Sequence, residues 1–125
     1  MKSTLPRLKK TPQNTRGVFS LTLAQMAISQ LLASLTESRP EVFETRTGLL
    51  NVRAELKDLE TLERWAGRTA SWRKNSLGVL NRGTLWLRAK ASEFEAADAT
   101  LAWQLRLLAE EFDSWSFTLL SRRTA

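Results

Sequence analysis

The residues from Leu87 to Leu119 repeat a spacing of four and three residues for more than four heptads. The repeat places its members on one side of an α-helix, because seven residues make nearly two helical turns. It therefore predicts a long C-terminal helical segment that packs on other helices of the chain or on a second copy of it. Its apolar members are Leu87, Ala91, Phe94, Leu101, Leu105, Leu108, Phe112, Trp115 and Leu119.

Asp98 is the one polar residue in this register. It either ends one helix and caps the next from Ala99, or it is buried and paired with an arginine. The stretch Ala97-Asp98-Ala99-Thr100 favours the cap, because an aspartate accepts hydrogen bonds from the free amides of a helix's first turn.

A first helix is predicted from about Thr22 to Ser38, ahead of Pro40. Thr22 and Gln25 have the spacing of a capping box, in which each side chain bonds a free amide of the first turn. The helix ends before Pro40, because the residue preceding a proline disfavours helical backbone angles.

A second helix is predicted to start at Pro40, since proline suits the first helical position. Gly48 weakens its first turns, which leaves Leu49–Ala66 as the firm part. Beyond it, three glycines punctuate residues 67–83, and only a short helix around Thr69–Asn75 is expected. The apolar residues of the second helix form a stripe along one side of it: Leu49, Val52, Leu56, Leu59, Leu62 and Trp65.

Residues 1–17 carry five basic residues and no acid, together with two of the three prolines. This composition predicts a flexible basic arm ahead of a single helical domain at residues 18–125. The expected fold class is all-α: a small bundle of three to five helices with a long C-terminal helical segment.

The composition removes several classes of chemistry. The chain has no Cys, His or Tyr, so it has no thiolate or imidazole for a metal site and no Ser-His or Cys-His pair. An enzyme would have to work with carboxylates, Lys, Ser and Thr, and no spacing points to one. We therefore expect no catalysis, cofactor, metal or small-molecule substrate. With no apolar run long enough to span a membrane, we expect a cytoplasmic protein.

Charge is distributed unevenly along the chain. The net charge is +6, and residues 64–92 hold seven basic residues and no acid, whereas residues 93–113 hold six acids and one base. Cations that replace the counterions condensed on phosphate favour nucleic-acid binding. The candidate contacts are Arg64, Arg68, Arg73, Lys74, Arg82, Arg88 and Lys90, with Lys9 and Lys10 from the arm.

Three of the five tryptophans lie among these basic residues: Trp65, Trp72 and Trp86. An exposed indole can stack on an unpaired base, and Trp72 is the candidate for that contact. Tryptophans of small helical domains are more often core residues, and Trp65 continues the stripe of the second helix.

The first functional hypothesis is a non-catalytic accessory subunit that binds nucleic-acid backbone, RNA or DNA, largely independently of sequence within a larger protein complex. In size, helical character and basic surface the chain resembles the small helical subunits of CRISPR-type effector complexes, although it shares no motif with them. The resemblance implies contacts with the nucleic-acid backbone.

The alternative hypothesis is a protein-binding module, such as a phage or plasmid inhibitor, an adaptor or an assembly chaperone. It would act through helix–helix contacts, with self-association through the C-terminal helix as one form. Basic side chains on one continuous face would favour nucleic acid. Basic side chains paired with the chain's own acids, or an exposed apolar patch, would favour a protein partner.

Overall fold

The computed structural model describes residues 19–122, which form four α-helices and no strand. The helices are α1 (Leu21–Ser34), α2 (Pro40–Ala66), α3 (Ala70–Phe94) and α4 (Ala99–Arg122). The all-α class and the small bundle are thus confirmed. The predicted arm, residues 1–17, lies outside the described residues.

The helices pack in chain order. α1 lies on α2, α2 on α3 and α3 on α4, and α1 closes the bundle against α4. The most extensive interface joins α3 to α4, whereas α2 and α4 lie diagonally opposite each other. The links between helices, residues 35–39, 67–69 and 95–98, are short, which keeps successive helices antiparallel.

The core runs along the bundle axis and takes residues from all four helices. Burying an aliphatic or aromatic side chain of this size contributes about 1.5–3 kcal/mol. The largest fully buried apolar side chains are Phe19, Ile28, Val42, Leu49, Leu56, Trp72, Leu80, Leu87, Leu105 and Phe112.

The capping box predicted at Thr22 and Gln25 is wrong. Ser20 has extended backbone angles and caps α1, its hydroxyl accepting a hydrogen bond from the Leu23 amide at 3.2 Å. Thr22 and Gln25 lie inside the helix, where their side chains donate to the carboxylate of Glu60 on α2, both at 3.1 Å. These bonds, with the one from Gln25 the stronger, hold the pKa of Glu60 below its ordinary value.

α1 also ends earlier than predicted, at Ser34 rather than Ser38. The Leu35 backbone has left the helical region, and its carbonyl accepts two hydrogen bonds from the Arg46 guanidinium, at 2.7 and 3.1 Å. A side chain from α2 thus satisfies a carbonyl that the helix end leaves free.

α2 begins at Pro40 as predicted, but its first turns are as regular as the rest. Val42, Thr45 and Leu49 are buried on one side of these turns, and this packing outweighs the weak helix propensity of Gly48. The short helix predicted at Thr69–Asn75 is in fact the start of a 25-residue helix that continues through two glycines. Thr69 caps it, accepting from the Trp72 amide at 3.0 Å.

Asp98 is a helix cap, as the sequence favoured. The chain turns at residues 95–97, and the Asp98 carboxylate accepts the Leu101 amide at 3.1 Å, at the start of α4. The cap divides the heptad repeat between α3 and α4, which fold onto each other as an antiparallel hairpin. The nine apolar members of the repeat, called the seam below, therefore pack within the chain. Trp115 is half-buried and the other eight are buried.

Candidate functional site

The acid-free stretch does not form a purely cationic surface, because three of its seven basic residues pair with acids. Arg68 Nε lies 2.6 Å from Glu63, and Arg82 Nη2 lies 3.7 Å from Glu55. Glu63 lies five residues before Arg68, whereas Glu55 is distant in sequence from Arg82 and meets it because α2 packs on α3. Lys90 is the third and has two carboxylate partners.

Lys90 is the one buried charged residue among residues 19–121, with 8% of its surface exposed. Its Nζ donates to Glu44 at 2.8 Å and to Glu93 at 3.3 Å, so it ties α3 to α2. Burial alone would lower the pKa of this ammonium, but the two carboxylates outweigh it and raise the pKa. The predicted phosphate contact at Lys90 is corrected: its ammonium is committed to an interhelical ion pair.

Trp72 is fully buried, which corrects its expected place on the nucleic-acid surface. Its indole Nε1 donates to the Leu59 carbonyl at 3.0 Å, and its ring lies 6.2 Å from that of Phe19. The Arg68 guanidinium lies over the same ring at 4.8 Å, a cation–π contact, and also donates to the Phe19 carbonyl. No face of this indole is free to stack on a base.

Trp65 takes the opposite place: it is 84% exposed although the stripe of α2 was predicted to include it. Leu59, Leu62 and Trp65 follow one another in steps of three residues. Each such step falls about 60° short of a full turn, so the stripe rotates out of the core by about 120° over the last two steps. Leu62 is already partly exposed and Trp65 faces outward.

Four of the predicted contacts, Arg64, Arg73, Lys74 and Arg88, have no acid at ion-pair distance among residues 19–122. Arg73 is half-buried, with its Nε buried and without a hydrogen-bond partner, whereas the other three are exposed. Lys74 and Arg82 line an open groove between α2 and α3 together with Glu55 and Asp58, so that groove is mixed in charge. Lys9 and Lys10 lie outside the described residues.

The outward face of α4 carries a set of exposed apolar side chains that the heptad repeat does not include. Trp103 is 61% exposed, Phe117 70%, Leu120 49% and Leu107 42%. The opposite face of the same helix is turned into the core from Leu101 to Leu119. α4 thus carries apolar side chains on two sides, and the bundle covers one of them.

The second stripe could have been found from the sequence. Trp103, Leu107, Glu110, Ser114, Phe117 and Ser121 also step by four and three residues, parallel to the seam and on the other side of the helix. Its polar members weaken its periodicity. The stripe can be recognised only when α4 is known to start at Ala99, because the longer repeat that begins at Leu87 otherwise dominates the pattern.

α2 also exposes apolar residues, but more sparsely. Phe43 is 60% and Leu50 41% exposed, and Trp65 lies about four turns beyond Leu50. Arg46 and Thr47 lie between Phe43 and Leu50 along the helix, so the apolar side chains are interrupted by polar ones. Polar residues interrupt the exposed face of α4 too, since Glu110 and Ser114 lie between Leu107 and Phe117, but its four exposed apolar side chains fall within 18 residues.

Two other kinds of site find no support in the described chain. Between residues 19 and 122 no three side chains of the types His, Cys, Asp or Glu come together as a metal ion would require. None of the four helices described is long and apolar enough to cross a bilayer.

No protein-family model matches the chain, and no significant match was found among curated proteins or solved structures. Function must therefore be inferred from the surfaces themselves.

Proposed function

We propose that this chain is a non-catalytic protein-binding module that docks a helical partner through the outward face of α4. The observation that carries the proposal is the exposure of Trp103, Leu107, Phe117 and Leu120 on one side of a single helix. Exposed apolar patches of this kind, rimmed by polar residues, are typical of interaction surfaces on otherwise water-facing proteins.

The composition of the face suits a protein partner. Aromatic residues are enriched at the centres of protein interfaces, and tryptophan is prominent among the residues that dominate binding energy. Arg106 and Asp113 supply charges beside the apolar side chains, and Glu110 lies between Leu107 and Phe117. The face is also carried by a helix that is firmly held on its other side, so little conformational entropy is lost when it binds.

A site-specific crosslinking experiment tests this function. A photoreactive phenylalanine analogue at position 103 should capture a protein when the chain is expressed in its native host, and the same analogue at Trp65 serves as the matched exposed control. The Phe117→Ser change should abolish capture at position 103 while leaving the circular dichroism spectrum intact. Equal capture from both positions, or none from position 103, would rule the proposal out.

Nucleic-acid binding is the second candidate, and three residues favour it. Arg64, Lys74 and Arg88 are exposed and have no acid at ion-pair distance in the described chain. The sequence adds five basic residues in the arm. Because the other four basic residues of the acid-free stretch are paired or half-buried, we rank this function below protein binding. It would operate within a larger complex and contact phosphates without reading bases.

A salt titration tests the second candidate. Fluorescence anisotropy with single-stranded RNA, single-stranded DNA and duplex DNA should show log affinity falling linearly with log salt. Replacing Arg64, Lys74 and Arg88 with Gln should reduce the slope by about 0.7–0.9 for each phosphate that is no longer neutralised. Phe117→Ser should leave this slope unchanged. A folded protein that binds none of the three at low salt would exclude the function.

A further inference from the structure

The outward stripe of α4 has the spacing of a coiled-coil face. Its six members, Trp103, Leu107, Glu110, Ser114, Phe117 and Ser121, step by four and three residues over the length of the helix. All six are exposed in the single chain. Three of the six, Trp103, Leu107 and Phe117, are apolar residues of the kind that such a repeat buries when it packs on another helix with the same repeat.

From this stripe we infer that the partner is α4 of a second copy of the chain, packed antiparallel about a twofold axis. The inference rests on the proposed function, because it names the occupant of the same face. An isologous pair requires a surface that is complementary to itself. The spacing of the stripe meets this requirement in an antiparallel pair, and charge distinguishes that pair from a parallel one.

The antiparallel register with its axis midway between Glu110 and Ser114 matches every member of the stripe. It sets Leu107 against Phe117 of the partner subunit, and Trp103 against Ser121 of the partner subunit. It also sets Glu110 against Ser114 of the partner subunit, where the serine hydroxyl can donate to the carboxylate. Each of these contacts occurs twice.

Charge decides against the parallel orientation. A parallel pair would bring the two Glu110 carboxylates together inside the interface, where two like charges repel and neither is compensated. The antiparallel register separates them and gives each a neutral donor. Glu110 has no ion pair within the described chain that would neutralise it first.

The available area is sufficient for a reversible dimer. α4 has 24 residues, and a helix of this length spans roughly 36 Å. Trp103 and Phe117 are each more than half exposed, so each can bury roughly 100 Å² or more on association. The two aromatics on both copies supply roughly 400 Å², and the leucines and polar flanks add to this toward the lower end of specific interfaces, about 1,200 Å².

The oligomeric state is the first test. Sedimentation velocity over a concentration series should show a monomer–dimer equilibrium of the intact chain. Phe117→Glu should raise the dissociation constant at least tenfold, and the matched control Phe43→Glu on α2 should not change it. Ser114→Asp should weaken the dimer, because it opposes Glu110, and the further change Glu110→Lys should restore it.

The orientation is tested with spin labels, since the chain has no cysteine of its own. In the antiparallel dimer, labels at Ser121→Cys lie about 18 residues apart along the axis, roughly 27 Å, and labels at Ala99→Cys roughly 39 Å. Mixing the two labelled proteins should produce a new short distance, with an axial offset of roughly 6 Å. Short distances within each labelled protein alone would overturn the antiparallel arrangement.

The outcomes separate this inference from the function on which it rests. A chain that stays monomeric at millimolar concentration but captures another protein from position 103 overturns self-association and leaves the protein-binding function standing. A monomer that captures nothing overturns both. A dimer that Phe117→Glu does not weaken would place self-association on a different surface and overturn the inference.

Discussion

The indole of Trp86 on α3 lies directly against the backbone of Gly48 on α2. A Cβ added at position 48 would overlap the six-membered ring, coming within 2.5 Å of Cη2. Gly48 therefore stands where the Trp86 indole of α3 leaves no room for a side chain on α2. The residue that weakens α2 as an isolated helix is the one that lets α2 pack on α3.

Gly48→Ala is expected to lower the free energy of unfolding by about 1–3 kcal/mol, because the added methyl group forces Trp86 or a helix to move. The matched control is Gly78→Ala, where a Cβ would meet only the flexible end of the Arg82 side chain, at 3.1 Å. Alanine has the better helix propensity, so the control should gain up to about 1 kcal/mol. Urea denaturation measures both. Equal gains from the two changes would contradict the contact with Trp86.

Removing the cap of α4 should destabilise the hairpin. Asp98→Ala takes away the acceptor of the Leu101 amide and is expected to cost about 0.5–2 kcal/mol. Asp98→Asn keeps a side-chain oxygen in the same place and should retain most of the stability. Thermal unfolding followed by circular dichroism compares the three proteins. A loss as large in the Asn variant as in the Ala variant would show that the cap is not the cause.

The two tryptophans flanking the turn between α2 and α3 should respond differently to the same change. Trp72→Phe leaves a void in the core and removes the hydrogen bond to the Leu59 carbonyl, which we expect to cost about 2–3 kcal/mol. Trp65→Phe alters an exposed side chain and should stay within about 0.5 kcal/mol of the parent. Guanidinium denaturation measures both, and similar values would contradict their placement.

Glu111 should make stability depend on pH. Desolvation by its surroundings raises the pKa of this carboxyl. The folded protein then holds the proton more tightly than the unfolded chain, so the charged form weakens the fold at neutral pH and the penalty disappears in acid. Glu111→Gln should therefore raise the melting temperature at pH 7, and the difference should vanish as the pH falls below about 4.3. A pH-independent difference between the two proteins would rule out titration of this residue as the cause.

The proposed function followed only in part from the sequence. The sequence indicates a protein-binding module as the alternative function, but it predicts the binding surface in the seam at Leu87–Leu119, which is the core of the α3–α4 hairpin. The exposed stripe of α4 runs beside that seam. Both stripes share one period, so periodicity alone could not say which would be covered by the rest of the chain.

The sequence by itself determined the features that depend on neighbours a few residues away. The helical period of the C-terminal segment, the start of α2 at Pro40 and the cap at Asp98 are of this kind, because backbone angles and capping bonds are local. Charge counts can be read from the sequence, but the tertiary pairing of those charges cannot, because Arg82 and Lys90 of the acid-free stretch meet Glu55 and Glu44 only in the folded bundle.

Only the tertiary structure decided which side of each helix is covered. It buried Trp72, exposed Trp65, and carried α3 unbroken past two glycines, one of which, Gly83, lies against the ring of Phe112. Burial is settled by contacts between helices that are distant in sequence, and these contacts stabilise a helix more than its intrinsic propensity does. The free face of α4 exists for the same reason, since a four-helix bundle covers one side of each helix and leaves the other to solvent or to a partner.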